Sequence, residues 1–321
     1  MKELSRRKFL QTTAVTGLGL SLAPASWATP PETRRIGIIG LDTSHSQVFT
    51  KLINAGNSGG FQVVAAYPQG SKDIPSALKM KPDVINAVKK MGVEIVDSIE
   101  ALLKKVDYVL LETNDGRPHL EQALPVLKAQ KPVFIDKPIA ASLADAQAIF
   151  KAARQYQTPV FSSSALRYDA NVQKVVDGSI GKVLGADVYT PAEIDKNHLD
   201  LAWYAIHGVE MLFTVMGPGC VSVSRTYEKE ADLVTGVWKD GRIGTVRGIR
   251  AGATSIAGTA FGEKGIAPLG PFSTYQPLVD QILKFFETRQ PPVSAEQTLE
   301  IFAFMHAADQ SRKHQGKRIT L

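Results

Sequence analysis

Between Arg34 and about Ser164 the chain alternates short apolar, β-branched runs with longer stretches whose apolar residues recur at helical spacing. That rhythm predicts βαβ units: a strand covered on both faces reads as a near-continuous apolar run, and each crossover helix shows one apolar stripe. Strands are expected at 35–39, 61–66, 93–96, 108–112, 133–135 and 160–162. Helices are expected at 82–91, stopped by Gly92, and at 119–129, entered through Arg117-Pro118. Asp97 is the expected N-cap of a short helix over 98–103. Right-handed crossovers then give a parallel sheet with helices on both faces, whose ligand crevice opens at the C-terminal strand ends.

After Ser164 the rhythm changes. A helix at 169–177 precedes closely spaced β-type runs at 183–189, 221–228, 231–239 and 243–250, with a tight turn at Lys239-Asp240-Gly241. Such spacing suits an antiparallel sheet with one covered face, and a helix over 203–216 is placed to cover it. Two further helices are expected at 275–287 and 294–315. The reading is α/β: an N-terminal Rossmann doubly wound parallel sheet over 34–160, then a C-terminal α+β domain with a mostly antiparallel sheet over 161–321.

The first 28 residues are set apart from the fold. Ser5-Arg6-Arg7-Lys8-Phe9-Leu10 puts paired arginines before an apolar stretch at 9–23, and the small-x-small site Ser26-Trp27-Ala28 follows. This is the twin-arginine export pattern, with cleavage expected after Ala28 and a periplasmic or otherwise exported location. The apolar stretch is too short to span a bilayer, so no membrane insertion is expected. Lys2, Arg6, Arg7 and Lys8 against Glu3 carry half of the formal +6. The remainder holds no basic run of five, which argues against nucleic acid. Cys220 is the only cysteine, so no internal disulfide can form.

Candidate chemistry begins in the first βα turn, which reads Gly37-Ile38-Ile39-Gly40-Leu41-Asp42-Thr43-Ser44-His45. Gly37, Gly40, Leu41, Asp42 and Ser44 stand where a dinucleotide fold cradles phosphate. The full G-x-G-x-x-G spacing is absent, and Asp42 would repel a pyrophosphate if it faced one. Either its side chain turns away, or the loop does not hold a dinucleotide in the usual manner. No acid follows the second strand; Ser71 and Lys72 there suit the 2′-phosphate of NADP better than the free ribose of NAD, an ordinary surface turn being the alternative. Lys137, in Asp136-Lys137-Pro138, is delivered to the sheet's C-terminal edge, where an ammonium can orient a hydroxyl and favour its alkoxide. His207 lies on an apolar helix, flanked about one turn away by Tyr204 and Glu210, with Glu193 and His198 in the preceding loop. Carboxylate and imidazole ligands of that kind can hold a divalent metal, so Glu193, His198, His207 and Glu210 form an alternative metal set, without compact zinc-type spacing.

Five landmarks in order resemble the Gfo/Idh/MocA oxidoreductases: Arg35-Ile36-Gly37-Ile38-Ile39-Gly40, Asp136-Lys137-Pro138-Ile139-Ala140, Leu166-Arg167-Tyr168 with Gly178-Ser179-Ile180-Gly181-Lys182-Val183, Ile206-His207-Gly208-Val209-Glu210, and the segment 291–316. The resemblance implies hydride transfer between NAD or NADP and a sugar or cyclitol, with Lys137 and His207 as acid-base pair and Tyr204 beside them. It also implies that Arg167 lies toward the nicotinamide and that Asn114 and His119 form the polar loop touching the cofactor. Trp203 stands four residues before His207, where the family commonly carries an acid, so no orienting carboxylate is expected for the imidazole. The expected partners are a small-molecule carbohydrate and further copies of this chain. A metal-assisted lyase or hydrolase of an oxidised sugar and a non-catalytic sugar-binding protein are the other functional readings.

Overall fold

The structure, a computed structural model, describes residues 33–56 and 58–321; the export-signal reading at 1–28 falls outside the described residues. Six strands, β1 (Arg34–Ile39), β2 (Phe61–Tyr67), β3 (Glu94–Ile95), β4 (Tyr108–Leu111), β5 (Val133–Ile135) and β6 (Val160–Phe161), form a parallel sheet in the order β3-β2-β1-β4-β5-β6. Strand β1 runs down the middle, with Ile38 opposite Ala66 of β2 and Leu110 of β4. Order reverses at β1, so the crevice of a doubly wound sheet opens beyond the ends of β1 and β4.

Five helices connect these strands: α1 (Ser44–Asn54), α2 (Pro75–Lys90), α3 (Ile99–Leu103), α4 (His119–Lys128) and α5 (Leu143–Gln155). Two expectations need correction. Helix α2 starts at Pro75, well before Pro82, because a proline in the first turn has no intrahelical N-H to lose. Pro82 then lies inside the helix on its exposed face, where water can serve the carbonyl it frees. The cap of α3 is Ser98 rather than Asp97, its Oγ accepting the Ala101 N-H at 3.1 Å.

Beyond β6 come α6 (Ala170–Val176), β7 (Val183–Pro191), α7 (Ile206–Met216), β8 (Cys220–Tyr227), β9 (Ala231–Trp238), β10 (Ile243–Ile249), β11 (Ala257–Gly262), β12 (Gly265–Leu269), α8 (Gln276–Thr288), α9 (Ala295–Lys313) and β13 (Ile319–Thr320). The seven strands form one sheet, β12-β11-β7-β10-β9-β8-β13, antiparallel except where β7 runs parallel to β10. Helix α7 starts at Ile206 rather than 203, since 201–205 form turns. It lies against β7 so closely that a Cβ on Gly208 would sit 2.8 Å from Thr190 Cγ2. Helix α9 covers the sheet further along, with Phe304 against Phe213 and the Trp238 ring beside them.

Helix α8 crosses back to the first sheet. Its Leu278, Val279, Ile282, Phe285 and Phe286 are buried in one apolar cluster with Ile36, Phe49, Phe61 and Phe134. Burial of each such side chain stabilises the fold by ~1.5–3 kcal/mol, so the C-terminal segment holds the first sheet in place. Among the described residues, no helix is long and apolar enough to cross a membrane.

Candidate active site

The first turn explains its own residues. Gly40 follows β1 with φ +89°, and a Cβ there would lie 2.5 Å from the Thr113 backbone nitrogen, so only glycine fits. Asp42 is buried and faces inward. Its Oδ2 accepts the Ser71 N-H at 2.6 Å and its Oδ1 accepts the Asn114 N-H at 3.0 Å, which ties the loops after β2 and β4 to the loop after β1. Gly70 makes room for it: a Cβ there would come within 2.5 Å of Asp42 Oδ2. Of the two alternatives left open for Asp42, the side chain turns away from the helix N-terminus.

That arrangement keeps the Asp42 carboxylate off the N-terminus of α1. Thr43 caps the helix, no acidic residue stands in the first turn, and Ser44 is exposed there. A cavity of about 640 Å³ lined by Tyr67, Gln69, Gly70, Lys72, Ser98 and Glu121 lies between the end of β2 and helices α3 and α4. The Ser71 hydroxyl at its margin is buried without a hydrogen-bond partner. The acid-free first turn of α1 would hold the phosphates of a dinucleotide, and Ser71 and Lys72 after β2 would serve its ribose. Three residues expected at a cofactor lie elsewhere. Gly37 is packed inside β1 against Leu102, and Leu41 is wholly buried among apolar side chains. His119 is also wholly buried, its Nε2 2.8 Å from the Thr113 carbonyl and its Nδ1 3.1 Å from that of Ile139, and burial lowers its pKa. The neutral ring donates to one of these two carbonyls, and both nitrogens face backbone rather than the groove.

Strands β4 and β5 hand over to Glu112 and to Asp136-Lys137 at neighbouring positions on the sheet edge. Asp136 Oδ2 lies 2.7 Å from His45 Nδ1, and His45 Nε2 lies 3.1 Å from the Tyr275 hydroxyl. Burial pushes the Asp136 carboxyl upward, but His45 and Lys137 outweigh it and hold the group at about 2. Glu112 is raised well above the usual carboxylate range by burial and by Asp136. The Tyr275 phenol is pushed up to about 12, first by burial and then by Asp136.

His207 faces this corner from the second domain. It is held neutral: burial first, then the Lys137 charge, depresses its pKa well below the usual imidazole value. Lys137 and His207 thus share one electrostatic environment, each about nine-tenths buried. The Ser164 hydroxyl lies 2.7 Å from His207 Nδ1 and supplies the orienting partner that the sequence lacked. Tyr204, partly exposed, sets its ring edge-on to His207 at 5.4 Å. Arg167 is buried with its Nε 3.4 Å from Glu210 Oε2, and Glu210 also accepts from Ser163 Oγ at 3.2 Å.

The fold does not assemble the alternative metal set. Glu193 is exposed, and Glu210 is committed to Arg167 and Ser163. His198 accepts the Gly116 N-H at 3.1 Å, lies 2.8 Å from Asp195 Oδ1, and packs against Trp203. Trp203 therefore belongs to the loop packing. The sequence reading missed His45, Glu112, Asp136, Tyr275 and Ser164 as members of this corner. Glu112 and Asp136 were findable, since each is the first polar residue after an apolar strand.

Comparison with known proteins follows the same outline. Residues 34–164 match the oxidoreductase family with an NAD-binding Rossmann fold. Residues 34–164 form a Gfo/Idh/MocA family domain. The chain is 26% identical over 238 residues to myo-inositol 2-dehydrogenase of Thermotoga maritima, covering 66% of this chain and 67% of that protein. A probable dehydrogenase of T. maritima superposes with TM-score 0.73 at 19% identity, over 89% of this chain and 98% of the other. Myo-inositol dehydrogenase of Lactobacillus casei, in complex with NAD(H) and myo-inositol, superposes with TM-score 0.71 at 18% identity, over 90% and 97%. The likeness to these two solved structures extends through the second, mostly antiparallel sheet at the level of fold.

Proposed function

We propose that this chain is an NAD(P)-dependent dehydrogenase that oxidises a carbinol of a cyclitol or sugar. The observation that carries the reading is the pairing of Lys137 with a neutral, Ser164-held His207 at the edge of a Rossmann sheet. The bound dinucleotide supplies the hydride acceptor. The Lys137 ammonium holds the substrate hydroxyl oxygen and favours its alkoxide. In the tautomer that donates Nδ1-H to Ser164, His207 Nε2 carries the lone pair and takes the hydroxyl proton. Tyr204, at the exposed margin beside His207, limits the orientations in which a polyol can enter. Support for a cyclitol comes from the relatives, which are inositol dehydrogenases by name. Support for NADP over NAD comes from Ser71 and Lys72, with no acid at the end of β2.

Titration of the purified chain with NADH and NADPH by calorimetry, then a panel of cyclitols and sugars followed by reduced-nicotinamide absorbance, tests this. Binding of neither dinucleotide ends the redox reading. The paired arginines Arg6-Arg7 and the site Ser26-Trp27-Ala28 support export by the twin-arginine route. Retention of an Arg6→Lys/Arg7→Lys variant in the cytoplasm tests that. The open face of the second sheet, with Leu184, Tyr189, Leu233 and Ile243 exposed, supports a homo-oligomer, which light scattering tests.

A further inference from the structure

Three side chains outside the proton-handling pair converge on one point. His45 comes from the N-terminus of α1, Glu112 from the end of β4 and Asp136 from the end of β5. One ligand atom from each lies within 4.8 Å of the other two. Glu112 is 0% exposed and Asp136 1%. Neither oxygen of Glu112 has a hydrogen-bond donor, nor has Oδ1 of Asp136. Three carboxylate oxygens are thus buried close together without a hydrogen-bond partner. The Lys137 ammonium donates to none of them.

Buried carboxylates are ordinarily paired, protonated or bound to a cation. One imidazole nitrogen with two carboxylates is the donor set that first-row divalent ions such as Zn²⁺ and Mn²⁺ accept, at ~2.0–2.2 Å. Ligand atoms already within 4.8 Å of one another need only small side-chain rotations to close on a single ion. We propose that His45, Glu112 and Asp136 form a site for one divalent transition-metal ion in the floor of the cleft. It shares no residue with the dispersed set of Glu193, His198, His207 and Glu210. The ion ties the N-terminus of α1 to the ends of β4 and β5. His45 occupies the stretch where a glycine-rich turn would carry a small residue, so the altered turn supplies a ligand. The near-complete burial of all three groups makes the ion a positioning element.

The test uses the full chain, stripped with a chelator and dialysed. Zn²⁺ and Mn²⁺ are titrated separately by calorimetry, with stoichiometry read by native mass spectrometry. One ion of at least one of the two metals per chain is expected, bound at least 100-fold more weakly by Glu112→Gln. Circular dichroism shows whether that variant is folded; if it is not, Asp136→Asn and His45→Gln take its place under the same expectation. Absence of saturable uptake of either metal by the wild-type chain, or unchanged affinity in a folded variant, overturns the site. NADH and NADPH binding is measured on the same samples, so a metal result is read apart from the dehydrogenase reading.

Discussion

Ser164 Oγ lies 2.7 Å from His207 Nδ1, across the boundary where the first sheet gives way to the second half of the chain. Ser164 follows β6 and caps a short 3₁₀ turn over Ala165–Tyr168, its Oγ accepting the Leu166 N-H at 3.2 Å, so its rotamer is fixed by backbone. Ser164→Ala leaves His207 in the cleft without its tautomer partner. We expect kcat to fall about 10-fold with KM little changed, a part of the ~10²–10⁴ that a positioned general base contributes. Steady-state kinetics and the pH profile check this, and Ser164→Thr restores the rate. Equal losses in Ser164→Ala and Ser164→Thr would show a packing role instead.

Acid lowers the stability of the fold through two buried imidazoles. Burial depresses the pKa of both His207 and His119 below the free value of 6.5. Above that value folded and unfolded states are both neutral at these positions, so neither contributes a pH slope. Below it the unfolded chain binds the protons first, and stability falls with pH, by up to ~1.4 kcal/mol per unit for each imidazole. Urea denaturation between pH 5 and 8 checks the direction. His207→Gln flattens the slope by about one proton; an unchanged slope rejects the assignment.

Asp42→Ala removes the carboxylate that holds Ser71 and Asn114, and leaves one buried and one half-buried N-H without that acceptor. Hydrogen bonds to charged groups are worth ~1.5–3 kcal/mol each, so a loss of about 3 kcal/mol is expected in chemical denaturation. Hydrogen exchange at Ser71 and Asn114 rises in the variant if the tether is real.

Arg225 is buried completely on β8 and donates to both oxygens of Asp232, at 3.0 Å each, and to Asp200 and Asp309 at 2.9 Å. Arg225→Met keeps the apolar volume and strips the acids of their main cation. Breaking a buried pair costs ~3–5 kcal/mol, and Arg250, which also reaches Asp232, keeps the expected loss near the lower bound. A thermal shift of under 2 °C contradicts this account.

The sequence showed the sheet better than the site. All six strands of the first sheet are legible, the inner ones because parallel strands buried on both faces leave uninterrupted apolar runs, as Val133–Ile135 does. Strands β11 and β12 were not, since their exposed and half-buried residues, Ile266 among them, carry no strong alternation. Lys137 and His207 could be picked out because a motif resemblance marks them. Their surroundings could not, because Ser164, His45 and Tyr275 reach the cleft from distant segments, His45 and Tyr275 being 230 residues apart. Asp42 reads as a hazard to phosphate in the sequence; only the backbone positions of Ser71 and Asn114 show where its charge goes.

The parallel pairing of β7 with β10 sets a schedule for assembly. Gly185 must wait for Ile243 before its strand acquires that neighbour, while β9 and β10, adjacent in sequence, can join as a hairpin straight away. Closing so large a loop is slow compared with forming a hairpin. Both strand neighbours of β7, β10 and β11, follow it in the chain, so until they are made its exposed Leu184 and Tyr189 lie on a strand with no partner.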